Sequence, residues 1–310
     1  PSSPSEGEGT RISPLPLRER ARVRVHLPAV DWRLQWQMIG RSYPLMLNHL
    51  FAVIFFQIDV PLLRQFNGET VVGWYNSAYK WVNAINVIPS FFTFALFPVI
   101  SRQVQSSLDD ARRTFRMAIK VMILVALPVA AVTTLLSPLL IRVLGGPAFL
   151  PEGAIALQIV IWSIPFGWLN SVTNYVLIAL GQERMQTRAF LIGVAFNVTA
   201  NLIFLPRYSY VAAAVITILS EVVLLVVFDY YLRQRMPDVQ WRRIVARPAA
   251  VTVSTVAAMG LGYLVHPLLA LALALVTYPA GLWLLRVFGE EERRIVLALL
   301  PARLRVVIGK

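Results

Sequence analysis

Long apolar runs separated by short polar connectors dominate the sequence. A helix needs about 20 mostly apolar residues to cross the roughly 30 Å hydrocarbon core of a membrane. Eight windows meet that requirement, and Pro or Gly stands near the ends of several, as in "SPLLIRVLGGPAF" and "YLVHPLL". We therefore predict an all-α, polytopic membrane helix bundle with eight transmembrane helices at residues 43–63, 72–100, 120–144, 155–180, 187–205, 210–232, 249–266 and 268–288.

One of these apolar windows carries a polar stripe. The stretch "YNSAYKWVNAINVIPS", residues 75–90, contains polar residues that step by three or four positions. That spacing places them on one face of a helix, beside Lys80. The stripe predicts a polar surface inside the bundle, formed by Asn76, Tyr79, Asn83, Asn86 and Ser90.

Ionisable residues inside the predicted spans are costly in lipid, so they mark bundle interiors, partners or water-filled cavities. Asp59 lies near the end of the first span, and Lys80 lies near the start of the second. The connector between them is short, so we expect the two charges to reach a similar depth and to pair. Glu221 lies near the middle of the sixth span, whereas Asp229 lies close to an end and is expected to reach the interface.

Neutral polar residues follow the same periodicity in two further spans. The amides are Asn170 and Asn174 in the fourth span, and Asn197 and Asn201 in the fifth. Two interpretations remain open: these side chains line a cavity, or they only form hydrogen bonds that hold neighbouring helices together. Prolines inside the spans, at positions 89, 98, 128 and 165, predict bent helices.

Composition and charge agree with a membrane protein. The chain is 57% hydrophobic and 15% charged, with a net charge of +13 and a mean hydropathy of +0.63. Of the 29 Lys and Arg residues, 25 fall on the side of the first residues, three fall on the opposite side, and Lys80 lies within a span. By the positive-inside rule, both termini are predicted to be cytoplasmic, in the inner membrane. The charge pattern therefore predicts membrane topology rather than nucleic-acid binding.

Motifs of enzymes, metal sites and cofactor sites are absent from the sequence. There is no cysteine, no HExxH, no GxSxG and no phosphate-binding GxxxxGK[ST] motif, and the three histidines are widely separated. We predict neither catalysis nor a bound metal or cofactor. The connector "SRQVQSSLDDARRTFRMAIK" is interpreted as a solvated basic loop, with a short interfacial helix as the alternative.

Several phrases together resemble one transporter family. "DVPLLRQFNGETVVGWYNSAYKWVNAINVIPSFFTFALFPVISRQ" and "NVTANLIFLPRYSYVAAAVITILSEV" are similar to the second half of the Wzx-like flippases of lipid-linked oligosaccharides, within the MATE-like (MOP) superfamily. The likeness covers about residues 43–232. Ser209 and Val211 stand where that family tends to have glycines.

The resemblance implies a domain organisation. It predicts a six-helix C-terminal transporter lobe at 42–233 and two additional transmembrane helices with a cytoplasmic tail at 234–310. Residues 1–41 are predicted to form a disordered basic segment, since Pro, Ser, Glu and Arg dominate their first part. Members of the family have a second, N-terminal lobe opposite this one, which implies that this chain is one half of a transporter.

The resemblance also implies a function: export of a lipid-linked oligosaccharide across the membrane for synthesis of cell-envelope polysaccharide such as lipopolysaccharide. Lys80 would meet the substrate's pyrophosphate, with Asp59 as its pair. Other expected cavity residues are Asn76, Asn83, Asn86, Asn170, Asn174 and Asn201, and Glu221 is a candidate for ion coupling. Expected partners are the substrate, membrane lipids and the missing lobe, but no nucleic acid.

Three other interpretations remain open on the sequence alone. In the first, the chain is a multidrug or lipid II exporter of the same superfamily. In the second, it is an inactive fragment. A membrane-bound glycan polymerase or ligase is disfavoured, because such an enzyme would need a large outer loop, and the predicted outer loops are short.

Overall fold

The computed structural model describes residues 32–237, 239, 241–285 and 287. The described residues are mostly helical and contain no strand. The chain divides into two compact units, residues 1–43 and 44–310, and the second contains the helix bundle. The helices are α1 (Trp32–Gln57), α2 (Asp59–Asn67), α3 (Glu69–Ile85), α4 (Val87–Ser106), α5 (Leu108–Gly145), α6 (Glu152–Val160), α7 (Ile164–Ala179), α8 (Glu183–Arg233), α9 (Trp241–Tyr263) and α10 (Pro267–Leu284).

Within the described residues, seven helical segments are long and apolar enough to cross a membrane. They are Met46–Asn67, Glu69–Ser106, Leu108–Gly145, Glu152–Ala179, Glu183–Arg233, Ile244–Tyr263 and Pro267–Leu284. The fifth contains 51 residues, and as one straight helix it would measure about 77 Å, more than twice the roughly 30 Å that a span needs.

The long segment α8 is two helices that fold back on each other at Ser209. Ser209 has φ 52° and ψ −142°, which no helix contains. The side chains of Asn197 and Ser220 form a hydrogen bond of 3.0 Å, and the rings of Phe190 and Phe228 lie 5.8 Å apart. Such contacts require an antiparallel hairpin, so the predicted bundle of about eight transmembrane helices is confirmed. We call the two arms α8a (183–208) and α8b (210–233).

Replacing Ser209 by Gly should stabilise the protein. A residue with a side chain at this positive φ costs of the order of 1–3 kcal/mol, and glycine has no Cβ to cause the strain. We expect Ser209→Gly to raise the free energy of unfolding by about 1 kcal/mol, measured by unfolding in mixed detergent micelles. Ser254→Gly, in the interior of α9, is the control, and it should lower stability instead.

Three breaks between helices lie four residues before a proline. A proline has no N–H, so the carbonyl four positions earlier loses its helical partner. Pro61 follows the end of α1 at Gln57, and Pro89 follows the end of α3 at Ile85. Pro165 follows the short 3₁₀ turn that begins at Ile161. Pro89 and Pro165, where bends were predicted, thus coincide with breaks between helical segments.

The connector between α4 and α5 is helical rather than a loop, which corrects the sequence-based interpretation. α4 continues to Ser106 and α5 begins at Leu108, so only Ser107 separates them. The Ser107 hydroxyl accepts a hydrogen bond of 3.3 Å from the backbone N–H of Asp110. This N-cap, with two acidic residues in the first turn, starts α5 outside the apolar part of the chain.

The predicted disordered segment at 1–41 is also corrected in part. Helix α1 already begins at Trp32, so the last part of that segment is helical, and residues 1–31 lie outside the described residues. The predicted cytoplasmic tail after α10 lies outside them too, apart from residues 285 and 287. The division into a six-helix lobe and an added pair stays a prediction.

Most of the core lies among helices α2 to α8. One large cluster of buried residues joins them, and its bulkiest members include Trp168, Tyr75 and Phe115. Helices α9 and α10 pack tightly on each other. A Cβ on Gly281 would approach Val251 Cγ1 to 2.8 Å. The start of α9 joins the large cluster through Ile244, and further along the pair contacts α5 through two small, separate clusters.

Candidate functional site

Helix α3 has a polar face that the bundle does not cover. Asn76 is half-buried there, and Lys80 and Asn83 are exposed. These three side chains follow each other at steps of four and three, so they share one face. We call them the Lys80 face. Tyr75, Ala78 and Val82, on the opposite side of the helix, are buried in the core.

The predicted polar stripe divides into two parts. Ser90 is exposed like the Lys80 face, but Tyr79 and Asn86 are half-buried and turn towards other helices. The Tyr79 hydroxyl lies 3.3 Å from Thr217 Oγ1. Asn86 Oδ1 accepts a hydrogen bond of 3.0 Å from Trp168 Nε1. Two predicted stripe positions therefore hold helices together instead of facing an open surface.

Asp59 does not pair with Lys80, which corrects the pairing expected from the sequence. Asp59 is only 3% exposed. Its carboxylate accepts hydrogen bonds from the hydroxyl of Tyr75 and, at 3.0 Å, from the backbone N–H of Val60. Tyr75 OH also lies 3.2 Å from Thr217 Oγ1. Among the described residues, no ion pair joins Asp59 to any Lys or Arg.

Glu221 and Asn170 form a second buried contact, between α7 and α8b. Asn170 Nδ2 donates to Glu221 Oε2 at 2.7 Å and to the Glu221 backbone carbonyl at 2.8 Å. A Cβ on Gly167 would lie 3.3 Å from Glu221 Oε1, so the glycine leaves room for the carboxylate. Glu221 is one helical turn from Thr217 on α8b, and Tyr75 contacts both Thr217 and Asp59, so both buried carboxylates lie at contacts of α8b.

The remaining predicted amides bind partners on a neighbouring helical segment or on their own helix. Asn197 Nδ2 donates to Ser220 Oγ at 3.0 Å, across the α8 hairpin. Asn201, fully buried, donates to the carbonyl and to Oδ1 of Asn197, both at 3.0 Å. The Oδ1 atom of Asn174, at the far end of α7, accepts from Gln186. All four amides thus have interhelical or local partners in this structure.

The structure shows that three residues not predicted from the sequence contact the predicted ones. Tyr75 and Thr217 bind Asp59 and Tyr79, and Trp168 binds Asn86. One signal was available for Tyr75: it precedes Tyr79 by four residues, so both rings lie on the same side of α3. Thr217 and Trp168 had no such signal, because their partners lie far away in the sequence.

Removing the amide that binds Glu221 should destabilise the bundle. Asn170→Leu keeps the side-chain volume but leaves a buried carboxylate without its donor, and hydrogen bonds to charged groups contribute about 1.5–3 kcal/mol. We expect a loss of about 2–3 kcal/mol in unfolding free energy, measured in detergent micelles. The control is Asn83→Leu on the exposed side of α3. Equal stability of the two variants would contradict the role of the Asn170–Glu221 contact.

Two kinds of site are therefore present in the described part of the chain. Inside the bundle are two carboxylates whose partners are hydroxyl, amide and backbone groups, and on its surface is Lys80, an exposed cation flanked by amides. No group of three or more His, Asp or Glu side chains with metal-ligand geometry occurs among the described residues. The exposed cation suits an anionic ligand, and the flanking amides suit a ligand rich in hydroxyl groups.

Comparison with solved structures identifies a fold neighbour. The chain is similar to the lipid II flippase MurJ in its inward closed conformation, with a TM-score of 0.60 and 13% sequence identity. The similarity covers 75% of this chain and 51% of that chain. At this identity the likeness establishes the fold alone.

Among curated proteins, the chain is similar to the uncharacterized membrane protein MJ1068 of Methanocaldococcus jannaschii. The two are 24% identical over 199 residues, which is 61% of this chain and 38% of the relative. The chain therefore spans about half or less of the length of the proteins that it matches.

The MatE family model matches residues 44–203. The match contains 160 of the 310 residues, more than half of the chain, and it covers all helices from the second half of α1 through α7 together with most of α8a. This multi-pass membrane protein belongs to the MatE family.

Proposed function

We propose that this chain forms one half of a flippase that moves a lipid-linked oligosaccharide across the inner membrane, with both termini cytoplasmic. The single observation that carries the proposal is the Lys80 face. An exposed lysine in a membrane helix is costly in lipid, and such residues usually face a water-filled path or a partner. The MatE fold supports membrane transport, and the Lys80 face provides the ammonium and amide groups that would bind the ligand.

The ligand class follows from that chemistry. A lipid-linked oligosaccharide carries a pyrophosphate, which an ammonium group binds by charge-assisted hydrogen bonds. It also carries sugar hydroxyls, which the amides of Asn76 and Asn83 can bind as donors and acceptors. The helix surface beyond the break at Asn86 is apolar, with Phe91 72% and Phe94 65% exposed. The polyprenyl tail would lie along that apolar part or in the bilayer.

The buried carboxylates have a separate proposed role. Asp59 and Glu221 lie behind the Lys80 face, at the packing of α2, α7 and α8b. A proton or Na⁺ that binds either carboxylate would change the hydrogen bonds that hold α8b against its neighbours. We assign Glu221 to ion coupling on this basis, and Asn170, Asn174 and Asn201 to the support of the proposed cavity wall.

Disruption of the full-length gene in its own organism tests the function. Export of the surface glycan should stop, and the lipid-linked oligosaccharide should accumulate on the cytoplasmic side, where added glycosidase in inverted vesicles can reach it. Reintroduction of the gene should reverse both effects. Unchanged glycan export with no accumulated intermediate would contradict the proposal.

Lipid II is the second candidate ligand. The fold neighbour is a lipid II flippase, and lipid II shares the pyrophosphate and sugar parts that the Lys80 face can bind, together with a polyprenyl tail. The same gene disruption distinguishes the candidates, because accumulation of lipid II with normal surface glycan would favour peptidoglycan-precursor export.

A further inference from the structure

Helices α9 and α10 leave a gap where they pack on α5. Beyond the start of α9, two separate clusters make the contact, one around Met259 and the other around Leu282. Between them lies an apolar cavity of about 130 Å³. Its lining includes Pro128 and Val132 of α5, Thr255 of α9, and Leu275 of α10. The cavity is far from the Lys80 face in the sequence and belongs to other helices.

A proline and a tyrosine hold one end of the gap open. Pro128 has no N–H, so the carbonyl of Leu124 loses its helical donor. Tyr278 OH of α10 donates to that carbonyl at 2.6 Å. The tyrosine ring therefore spans from α10 to α5 at this level, and the space beside it stays unfilled. The cavity therefore results from the positions of Pro128 and Tyr278 in these helices.

The cavity suits a stretch of hydrocarbon. Its lining surface is apolar, and its volume is close to that of an apolar cavity of about 150 Å³ that binds benzene. Leu275 at its edge is 69% exposed, so the cavity is reached from the side of α10 that faces lipid. Part of one acyl chain would fill it.

Basic residues of α5 and α9 lie about the thickness of one leaflet away from the cavity. The rings of Phe115 and Trp241 are 6.4 Å apart, and Ala131 and Met259 share a cluster, so α5 and α9 run parallel. Lys120 and Arg247 therefore lie at about the same level. Pro128 and Val132 are eight and twelve residues beyond Lys120, or about 12 and 18 Å, and one leaflet's hydrocarbon is about 15 Å thick.

We propose that this cavity and the basic helix ends form a binding site for an anionic phospholipid such as phosphatidylglycerol. The phosphate lies near Arg116, Lys120 and Arg247, and one acyl chain enters the cavity past Leu275. Charge complementarity selects the anionic headgroup. The acyl chain then fills the space between α5 and the pair of helices α9 and α10. The site is independent of the proposed transport function.

A matched pair of leucines on α10 tests the cavity. Leu275 and Leu268 are 69% and 70% exposed, but only Leu275 lines the cavity. The full chain, purified in detergent, is incubated with equal amounts of phosphatidylglycerol and phosphatidylcholine with identical acyl chains, and bound lipid is counted by native mass spectrometry. We expect at least about five-fold more phosphatidylglycerol to be retained. Leu275→Trp should reduce that retention at least five-fold, and Leu268→Trp should leave it unchanged.

The headgroup is tested separately. Arg116→Gln combined with Lys120→Gln should remove the preference for phosphatidylglycerol over phosphatidylcholine. Three results would overturn the proposal: equal retention of both lipids by the unmodified chain, equal retention by the two tryptophan variants, or replacement of phosphatidylglycerol by an equal concentration of polyprenyl phosphate. The last result would assign the cavity to the tail of a transported lipid instead.

Discussion

Replacing Lys80 by Ala should reduce glycan export by about 10- to 150-fold, measured with the full-length protein in cells that lack their own copy. The range corresponds to the loss of a charged hydrogen bond of about 1.5–3 kcal/mol with the pyrophosphate of the proposed substrate. Export is followed as surface glycan, and the amount of protein in the membrane is measured in the same cells.

The free energy of inserting the helix into the membrane makes Lys80→Ala a specific test of the role of Lys80 in export. A lysine at the centre of a membrane helix costs about 2.5–3.5 kcal/mol to insert, so Lys80→Ala should insert at least as well as the original. Loss of export therefore cannot be attributed to lost helix insertion. Lys80→Arg keeps the charge and should restore part of the export. Wild-type export by Lys80→Ala would contradict the assignment of Lys80 to the substrate.

Arg64 provides a matched control for a lost cation. It forms an ion pair with Glu69 at 2.9 Å, and the two side chains are 58% and 74% exposed. Exposed pairs contribute little to stability, and Arg64 lies at the end of α2 rather than on the Lys80 face. Arg64→Ala should leave export unchanged. A loss similar to that of Lys80→Ala would indicate a general need for positive charge at this end of the bundle.

Replacing Trp168 by Ala should cause the largest loss of stability among these substitutions. Trp168 is 1% exposed, and truncation of a buried Trp typically costs about 3–5 kcal/mol. The variant also leaves Asn86 Oδ1 without its donor at the break between α3 and α4. We expect a strong decrease of the unfolding midpoint in mixed detergent micelles.

Two further variants separate packing from hydrogen bonding. Trp168→Phe keeps most of the ring but loses the bond to Asn86, and we expect a cost of about 1–3 kcal/mol. Trp283, which is 64% exposed on α10, gives the matched control, and Trp283→Ala should change stability little. If Trp168→Ala unfolded at the same midpoint as Trp283→Ala, the proposed anchoring of the α3–α4 break would be wrong.

The membrane helices were predictable because length and hydropathy alone determine them. The turn at Ser209 was predictable as the short connector between the apolar windows 187–205 and 210–232. The helical connector before α5 was predictable too, since Ser107 followed by Asp109 and Asp110 is a typical helix start. Its basic residues suggested a loop, but a polar helix can extend beyond the membrane when it has an N-cap.

The wrong pairing of Asp59 with Lys80 has a geometric cause. The sequence gives the depth of each residue along its helix, and the two depths are similar. It does not give direction around the helix until one contact is known. Tyr75 and Lys80 are five residues apart, which is about 140° around the helix axis. Once Tyr75 binds Asp59, Lys80 must point elsewhere, and it points out of the bundle.

Periodicity places the amides on helix faces, but their partners were not predictable from it. Asn170 binds a carboxylate 51 residues away, and Asn86 binds a tryptophan 82 residues away. Such contacts depend on which helices become neighbours, and the periodicity of one helix contains no information on that.

The turn at Ser209 has a consequence for assembly in the membrane. The amides of Asn197 and Asn201 find their partners within the α8 hairpin, in Ser220 and in each other. An unpaired polar group makes insertion of a helix into hydrocarbon unfavourable. In α8, the donors of Asn197 and Asn201 can form their hydrogen bonds before any other helix packs against the hairpin. The two arms can thus enter the bilayer together as one hairpin in which these donors are already paired, whereas Glu221 and Gln186 still need Asn170 and Asn174 of the preceding helix α7.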